Sequence, residues 1–392
     1  GNITQPALKW SFPVGGAAAA TAADITGPNG APDGVPEIIA WGGGRVRAYD
    51  SQTGNPLWIS ELFLPSLSSL PFIGDVDNDG SAEILAFVPI AAGVNPSWRL
   101  LVLNGATGQV RSQISSYVEG VIGSVFVADA NGDGKQEVFE TGWRNPDYHI
   151  FSFLSADSPI AVVTITNALG SIDVKLGPSI AVGDLNGDAT SEILFASDYV
   201  GSGNVWFCND TCKMFYIMST STWSVIADYL PSWGAYTFPR VVVTDVLSSS
   251  PGQEIFGTWV TESGNQAHVA LFDVGTSFNI IHQWSYTRTN VVDLSTATPI
   301  VLNLDGTGDP ELVWAYRSTT DNQWRTEVLS ASGALLATLV AHRPYAAADV
   351  AAGGGEELVL LQTSGTAVTG VAVYSGTGVS LVWSAPVSGV VG

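Results

Sequence analysis

Positive charge is scarce in this sequence: 14 Lys and Arg stand against 36 Asp and Glu, a net charge of −22. Such a surface repels phosphate backbones and anionic lipid, so nucleic acid is not an expected partner. Cysteine is nearly absent, represented by Cys208 and Cys212 alone. A lone Cys-x-x-x-Cys without a nearby His does not complete a zinc set. Across a hairpin turn the two reach disulfide distance, with free buried thiols as the alternative. No apolar run approaches about 18 residues, so no transmembrane helix and no membrane insertion are expected. The chain has no initiating Met and no signal-like start, which reads as a mature, processed form.

Catalytic signatures are also missing. There is no HExxH, no nucleophile elbow and no phosphate loop. The four histidines, His149, His268, His282 and His342, fall at unrelated positions. The expectation is therefore a protein that is not an enzyme.

What the sequence does contain is glycine (43 residues), 46% hydrophobic residues and many aromatics, including 13 Trp. That mixture favours many short strands and tight turns over charged helices. A repeat organises it. Asp75-Val-Asp-Asn-Asp-Gly-Ser-Ala-Glu83 sits between two apolar stretches and recurs as Asp129-Ala-Asn-Gly-Asp-Gly-Lys-Gln-Glu137 and Asp184-Leu-Asn-Gly-Asp-Ala-Thr-Ser-Glu192. A fourth copy begins at Asn303 and ends at Glu311, and weaker copies span 24–37, 245–254 and 349–357. Loop starts at 24, 75, 129, 184, 245, 303 and 349 are 46 to 61 residues apart, one four-stranded unit per repeat. After the loops comes a hairpin element, as in Tyr49-Asp-Ser-Gln-Thr-Gly-Asn-Pro-Leu-Trp58. The predicted fold is all-β, a seven-bladed β-propeller with four-stranded antiparallel blades, in a single domain over 1–392.

The loop chemistry points to a hard cation. Asp75, Asp77, Asp79 and Glu83 put carboxylates at positions 1, 3, 5 and 9. Alternate residues of a tight loop turn inward together, and calcium takes six to eight oxygens. Gly80 lets the chain curl, and Ser81 offers its backbone carbonyl at position 7. The same set recurs as Asp129, Asn131, Asp133, Lys135 and Glu137, and as Asp184, Asn186, Asp188, Thr190 and Glu192. In the last of these Ala189 replaces the Gly, which predicts strain. Asn303, Asp305, Thr307 and Glu311, with Asp309 as helper, form a weaker set, giving three to four calcium ions in all. The alternative is a series of metal-free Asx turns. The loops at Asp24, Asp245 and Asp349 are expected to be metal-free.

This pattern, repeated at roughly even spacing, resembles FG-GAP/VCBS repeats, the calcium-binding propeller units of integrin α-subunits and of many secreted microbial proteins. Position 9 in that family is commonly Asp; here it is Glu, which keeps an oxygen but moves the backbone away. The Tyr-Asp-x-x-Thr-Gly-x-x-x-Trp element also resembles quinoprotein-type propeller repeats, without any quinone-site residues. The resemblance implies an extracellular, secreted adhesion or interaction module whose partner is a protein or glycan at the cell surface. Two alternatives are a sugar-binding propeller and a structural subunit of an extracellular assembly. The sugar-binding alternative would use aromatics at the ends of the second strands, Trp41, Phe87, Trp143, Trp259 and Trp314, although such residues also serve packing. Asn2 and Asn209 fall in glycosylation sequons. Finally, residues 7–11 and 380–384 both read as a closing strand, so the N-terminal strand either closes its own ring or pairs with a neighbouring copy.

Overall fold

The computed structural model describes residues 18–25, 32–61, 72–89, 97–119, 122–142, 148–155, 158–165, 176–197, 213–229, 236–261, 265–294, 299–349, 355–376 and 378–386. Among them every regular element is a strand, and no helix is long and apolar enough to cross a membrane. The described residues fall in two compact units, within Ala7–Asp173 and within Val174–Gly392.

The first unit holds three antiparallel sheets. The first runs β1 (Ala18–Ala23), β2 (Glu37–Gly42), β3 (Arg45–Tyr49) and β4 (Pro56–Ile59) in sequence order. The second follows with β5 (Phe72–Gly74), β6 (Glu83–Pro89), β7 (Ser97–Asn104) and β8 (Val110–Glu119). The third has β9 (Ile122–Ala128), β10 (Glu137–Gly142), β11 (Tyr148–Ser155) and β12 (Ser158–Ile165).

The second unit opens with β13 (Leu176–Gly183), β14 (Glu192–Ser197), β15 (Phe215–Ser219) and β16 (Ser224–Tyr229). Next come β17 (Tyr236–Thr244), β18 (Glu254–Thr261), β19 (Gln266–Val274) and β20 (Ile280–Thr289). A five-stranded sheet combines β21 (Val291–Asp293), β22 (Ile300–Leu302), β23 (Glu311–Ser318), β24 (Trp324–Leu329) and β25 (Leu335–Val340). The last sheet is β26 (His342–Ala348), β27 (Glu357–Ser364), β28 (Ala367–Ser375) and β29 (Ser380–Pro386).

The expectation of seven four-stranded blades is thereby corrected: the described residues form six four-stranded blades, and the remaining described sheet has five strands. There β21 and β22 both pair with β23, Asp293 opposite Arg317 and Ile300 opposite Val313. Pro299 stands immediately before β22. Lacking an N–H, proline cannot donate to a ladder and interrupts it. Elsewhere in this unit first strands absorb a proline as a bulge: the register shifts between Leu176 and Ser179 around Pro178, between Thr237 and Arg240 around Pro239, and just after Pro344.

Burial explains the residue choices. Middle strands such as β18 and β23 are buried along nearly their whole length, so they read as continuous apolar runs. Outer strands such as β16 and β25 alternate between more and less exposed residues. Within each unit the described apolar cores lie in seams between consecutive sheets. Ile39, Trp41 and Val46 of the first sheet pack with Ile84, Leu101 and Leu103 of the second. Phe215 and Ile217 pack with Trp259 and Phe272, and Val269 and Leu271 with Leu312 and Trp314. Fully burying one such side chain stabilises by roughly 1.5–3 kcal/mol.

A hairpin Trp locks two of these seams. The Trp58 Nε1–H donates to the Gly105 carbonyl at 2.8 Å, and the Trp284 Nε1–H donates to the Ala331 carbonyl at 2.9 Å. The turn glycines beneath them, Gly108 and Gly333, have φ of +69° and +85°. A Cβ at Gly333 would lie 2.8 Å from the Trp284 ring, so both the conformation and the contact require glycine. At the C-terminal end β29 completes its own sheet against β28. The competing segment 7–11 lies outside the described residues, as do Cys208, Cys212, Asn2 and Asn209.

Candidate metal-binding loops

Each acidic loop joins two consecutive strands of its sheet, and the loops at 75–83, 129–137 and 184–192 are built on one hydrogen-bond frame. The position-1 aspartate accepts backbone N–H groups with both oxygens. Asp75 takes those of Asp79 (3.1 Å) and Gly80 (2.9 Å); Asp129 takes those of Gly132 (2.8 Å) and Gly134 (2.9 Å). Asp184 takes those of Gly187 (2.7 Å), Asp188 (3.0 Å) and Ala189 (2.8 Å). Position 5 then caps position 7: Ser81, Lys135 and Thr190 donate their N–H groups to Asp79, Asp133 and Asp188, each at 2.8 Å.

The position-9 glutamate is buried and fixes the loop from below. Its Oε2 accepts the N–H of the second loop residue: Val76 to Glu83 (3.2 Å), Ala130 to Glu137 (3.1 Å), Leu185 to Glu192 (3.0 Å) and Leu304 to Glu311 (2.9 Å). The frame extends to loops expected to be metal-free. Ile25 donates to Glu37, and Val246 and Leu247 both donate to Glu254. In the longer loop at 24–37, Asp33 and Gly34 donate to Asp24 as Asp79 and Gly80 do to Asp75.

Three pairs of neighbouring loops, each pair within one unit, are chained by a bond that single-loop reasoning misses. The N–H before the glutamate donates to the position-1 carbonyl of the preceding loop: Gln136 to Asp75 (3.1 Å), Gln253 to Asp184 (2.8 Å) and Glu356 to Asn303 (2.7 Å). The Gln136 and Gln253 side chains lie against Gly74 and Gly183, where an added Cβ would crowd the glutamine amide oxygen and a valine methyl. The Gly before each of these aspartates and the Gln before these glutamates were the available signal.

Positions 3, 5 and 9 hold the oxygens a cation would use. In the 129–137 loop the Asn131 Nδ2–H group donates to Asp133 Oδ2 (3.3 Å) and Glu137 Oε1 (3.2 Å), so these two oxygens converge. In the 184–192 loop Asn186 donates likewise to Asp188 Oδ2 at 3.0 Å. In the 75–83 loop the donor is Arg111 of β8, 2.7 Å from Glu83 Oε1, 3.3 Å from Asp77 Oδ2 and 3.8 Å from Asp79 Oδ2. The ligand oxygens of Asp75, Asp77 and Glu83 all lie within 4.8 Å of one another. Arg111 is the site residue that the sequence reading misses.

Burial pushes the Glu83, Glu137 and Glu192 carboxyls up to about 7, with neighbouring aspartates adding to the rise. Glu254 and Glu311 rise for the same first reason. Ala189 has φ +69°, a left-handed conformation that costs a Cβ-bearing residue energy, as its replacement of Gly implied. In the 303–311 loop, the Thr307 N–H donates to Asn303 Oδ1 (3.1 Å) and Asp305 Oδ1 (2.8 Å), while Asp309 is exposed. Most of the loop after Asp349, residues 350–354, lies outside the described residues.

The strand-end aromatics Trp41, Phe87, Trp259 and Trp314 are all buried, and Trp143 lies outside the described residues. Of the histidines, His268 stacks on Trp259 with ring centroids 5.4 Å apart, and burial lowers its pKa. His342 lies 3.3 Å from the Tyr374 hydroxyl and 2.8 Å from the Val340 carbonyl.

Among solved structures the chain is similar to the Dos1 propeller, with a TM-score of 0.53 and 14% identity over 93% of this chain and 83% of that one. The fold is a β-propeller. The chain also aligns with BamB from Moraxella catarrhalis (TM-score 0.41, 15% identity, 90% of this chain and 80% of that one). Alignment with the V. cholerae biofilm matrix protein Bap1 gives a TM-score of 0.36 at 12% identity, over 95% of this chain and 80% of that one. At those scores neither adds to the fold assignment. No family model matches the sequence, and no curated protein matches it.

Proposed function

We propose that this propeller is a calcium-stabilised, non-catalytic interaction module that works outside the cell, with a protein or glycan as its partner. One observation carries the reading: loops 75–83, 129–137 and 184–192 share a frame in which backbone N–H groups hold the acids at positions 1, 5 and 9, and in the first two the remaining oxygens of positions 5 and 9 converge on one donor. The donor set fits the ion, since carboxylates, an Asn oxygen and a position-7 carbonyl are hard oxygen ligands. In the first loop Asp75, Asp77, Asp79 and Glu83 would hold it; in the others Asp129, Asn131, Asp133 and Glu137, and Asp184, Asn186, Asp188 and Glu192. The bound ion supplies positive charge that offsets the repulsion among these carboxylates. The loop motifs support kinship with FG-GAP/VCBS repeats.

Thermal unfolding in millimolar calcium and in chelator tests the reading. The midpoint should rise with calcium, because an ion that binds only the folded state stabilises it by mass action. An unchanged midpoint, together with no calcium bound in equilibrium dialysis, overturns it. A sugar-binding role gains no support from the second-strand aromatics, since the four described ones are inside the seams.

A further inference from the structure

The three best loops differ at one point. Loop 75–83 carries Asp77 at position 3, where the others carry Asn131 and Asn186. It therefore gathers four carboxylates instead of three. Like charges held this close repel unless a cation lies among them. Here a cation does: the Arg111 guanidinium, reaching from β8 with its side chain mostly buried, contacts Asp77, Asp79 and Glu83.

Arg111 also takes the place of the asparagine amide. Asn131 Nδ2 donates to the position-5 Oδ2 and the position-9 Oε1 of its loop. Arg111 approaches the same two atoms of the 75–83 loop, Asp79 Oδ2 and Glu83 Oε1. An amide that donates there is neutral and rotates out of the way at small cost. A guanidinium paired to a buried carboxylate is held by charge-assisted hydrogen bonds and gives that place up less readily.

We propose that Arg111 is a resident counter-cation that competes with calcium for the 75–83 loop, so that the loop richest in acids is the weakest of the three sites. This rests on the calcium reading above. The extra carboxylate and the arginine belong together: Asp77 draws Arg111 in, and the pair substitutes for a single asparagine. The ion binds this loop only in the fraction of molecules whose Arg111 has swung out, and the apparent affinity falls by that fraction.

Calcium titration calorimetry on the full chain, Arg111→Gln and the double variant Asp77→Asn/Arg111→Gln decides the matter. The double variant keeps the loop's net charge and gives it the donor set of the other two loops, so it serves if the single variant does not fold. The wild-type chain should show two tight sites and a weaker one. Arg111→Gln should tighten the weaker site roughly tenfold or more, as expected if about a tenth of molecules are competent. The double variant should show three sites of similar affinity, and adding Asp79→Ala to either should remove the tightened one. Three equal sites in the wild-type chain, or two tight sites with a third indifferent to Arg111, overturn the competition and leave the calcium reading standing. If no protein in the series binds calcium, the calcium reading itself fails and the competition falls with it.

Discussion

The loop at 129–137 and the loop at 245–254 occupy the same place in their sheets, and both hang from a buried glutamate. Glu137 accepts the N–H of Ala130, and Glu254 accepts those of Val246 and Leu247. Between those anchors they diverge. The first carries Asn131 and Asp133; the second carries Leu247 and a run of serines, with the Ser250 hydroxyl donating to Asp273 at 2.7 Å. The position-9 carboxylate is thus a structural cap in both, and what sets the proposed ion loop apart is the side-chain oxygens at positions 3 and 5. The repeat motif mixes two jobs that the comparison separates.

The sharpest way to break that separation is to remove the shared cap. Glu254→Ala leaves two backbone donors without their acceptor, and a buried donor left unsatisfied costs about 1–3 kcal/mol. Chemical denaturation should show a loss of roughly 2–4 kcal/mol, the same with or without calcium. Glu137→Ala should lose stability in chelator and lose part of its calcium response as well. Equal calcium dependence for the two variants would mean that the cap and the ligand are not separable.

Position 5 provides the complementary test. Asp133→Ala and Asp188→Ala should each lower the calcium stoichiometry by one in equilibrium dialysis. Asp349→Ala should leave it unchanged, because Ala351 and Gly353 supply no side-chain oxygen. Parallel losses in all three would erase the distinction between acid-rich and acid-poor loops.

A pH series separates the loops more gently. The folded-state pKa of Glu83, Glu137 and Glu192 is raised to about 7 from 4.5, chiefly by burial. Between those values the folded state binds more protons than the unfolded one, so in chelator stability falls as pH rises from about 5 to about 8. Calcium should flatten this slope, since it favours the ionised carboxylates. A slope that calcium leaves untouched would place the titration outside the ion sites. The smallest effect expected is from Ala189→Gly, which relieves a left-handed residue and should stabilise by up to about 1 kcal/mol in a thermal melt. No gain would mean that the strain is absorbed elsewhere in the loop.

Much of this was legible residue by residue. Asp75 and Glu83 are only eight positions apart, and the frame between them is made by neighbours in sequence, so the motif carries its own geometry. The hairpin element was legible for the same reason: Gly108 and Gly333 mark turns whose conformation only glycine adopts freely. The strand-end aromatics were harder. Trp259 and Trp314 fit either an exposed platform or a seam by sequence, and their burial decides for packing.

The sequence alone determined the strand-and-loop repeat, because short-range hydrogen bonding and alternating burial are local properties that recur wherever the same residues recur. Tertiary structure decided what lies between repeats. The Gln136 N–H meets the Asp75 carbonyl across 61 residues, and Arg111 meets Asp77 across 34. Pro299 stands where a first strand breaks into two pieces, making a five-stranded sheet of one expected to have four. Such contacts depend on which strand lies beside which. That is fixed by packing whole sheets together, and a local residue such as Gly74 or Gln136 marks one side of such a contact without naming its partner.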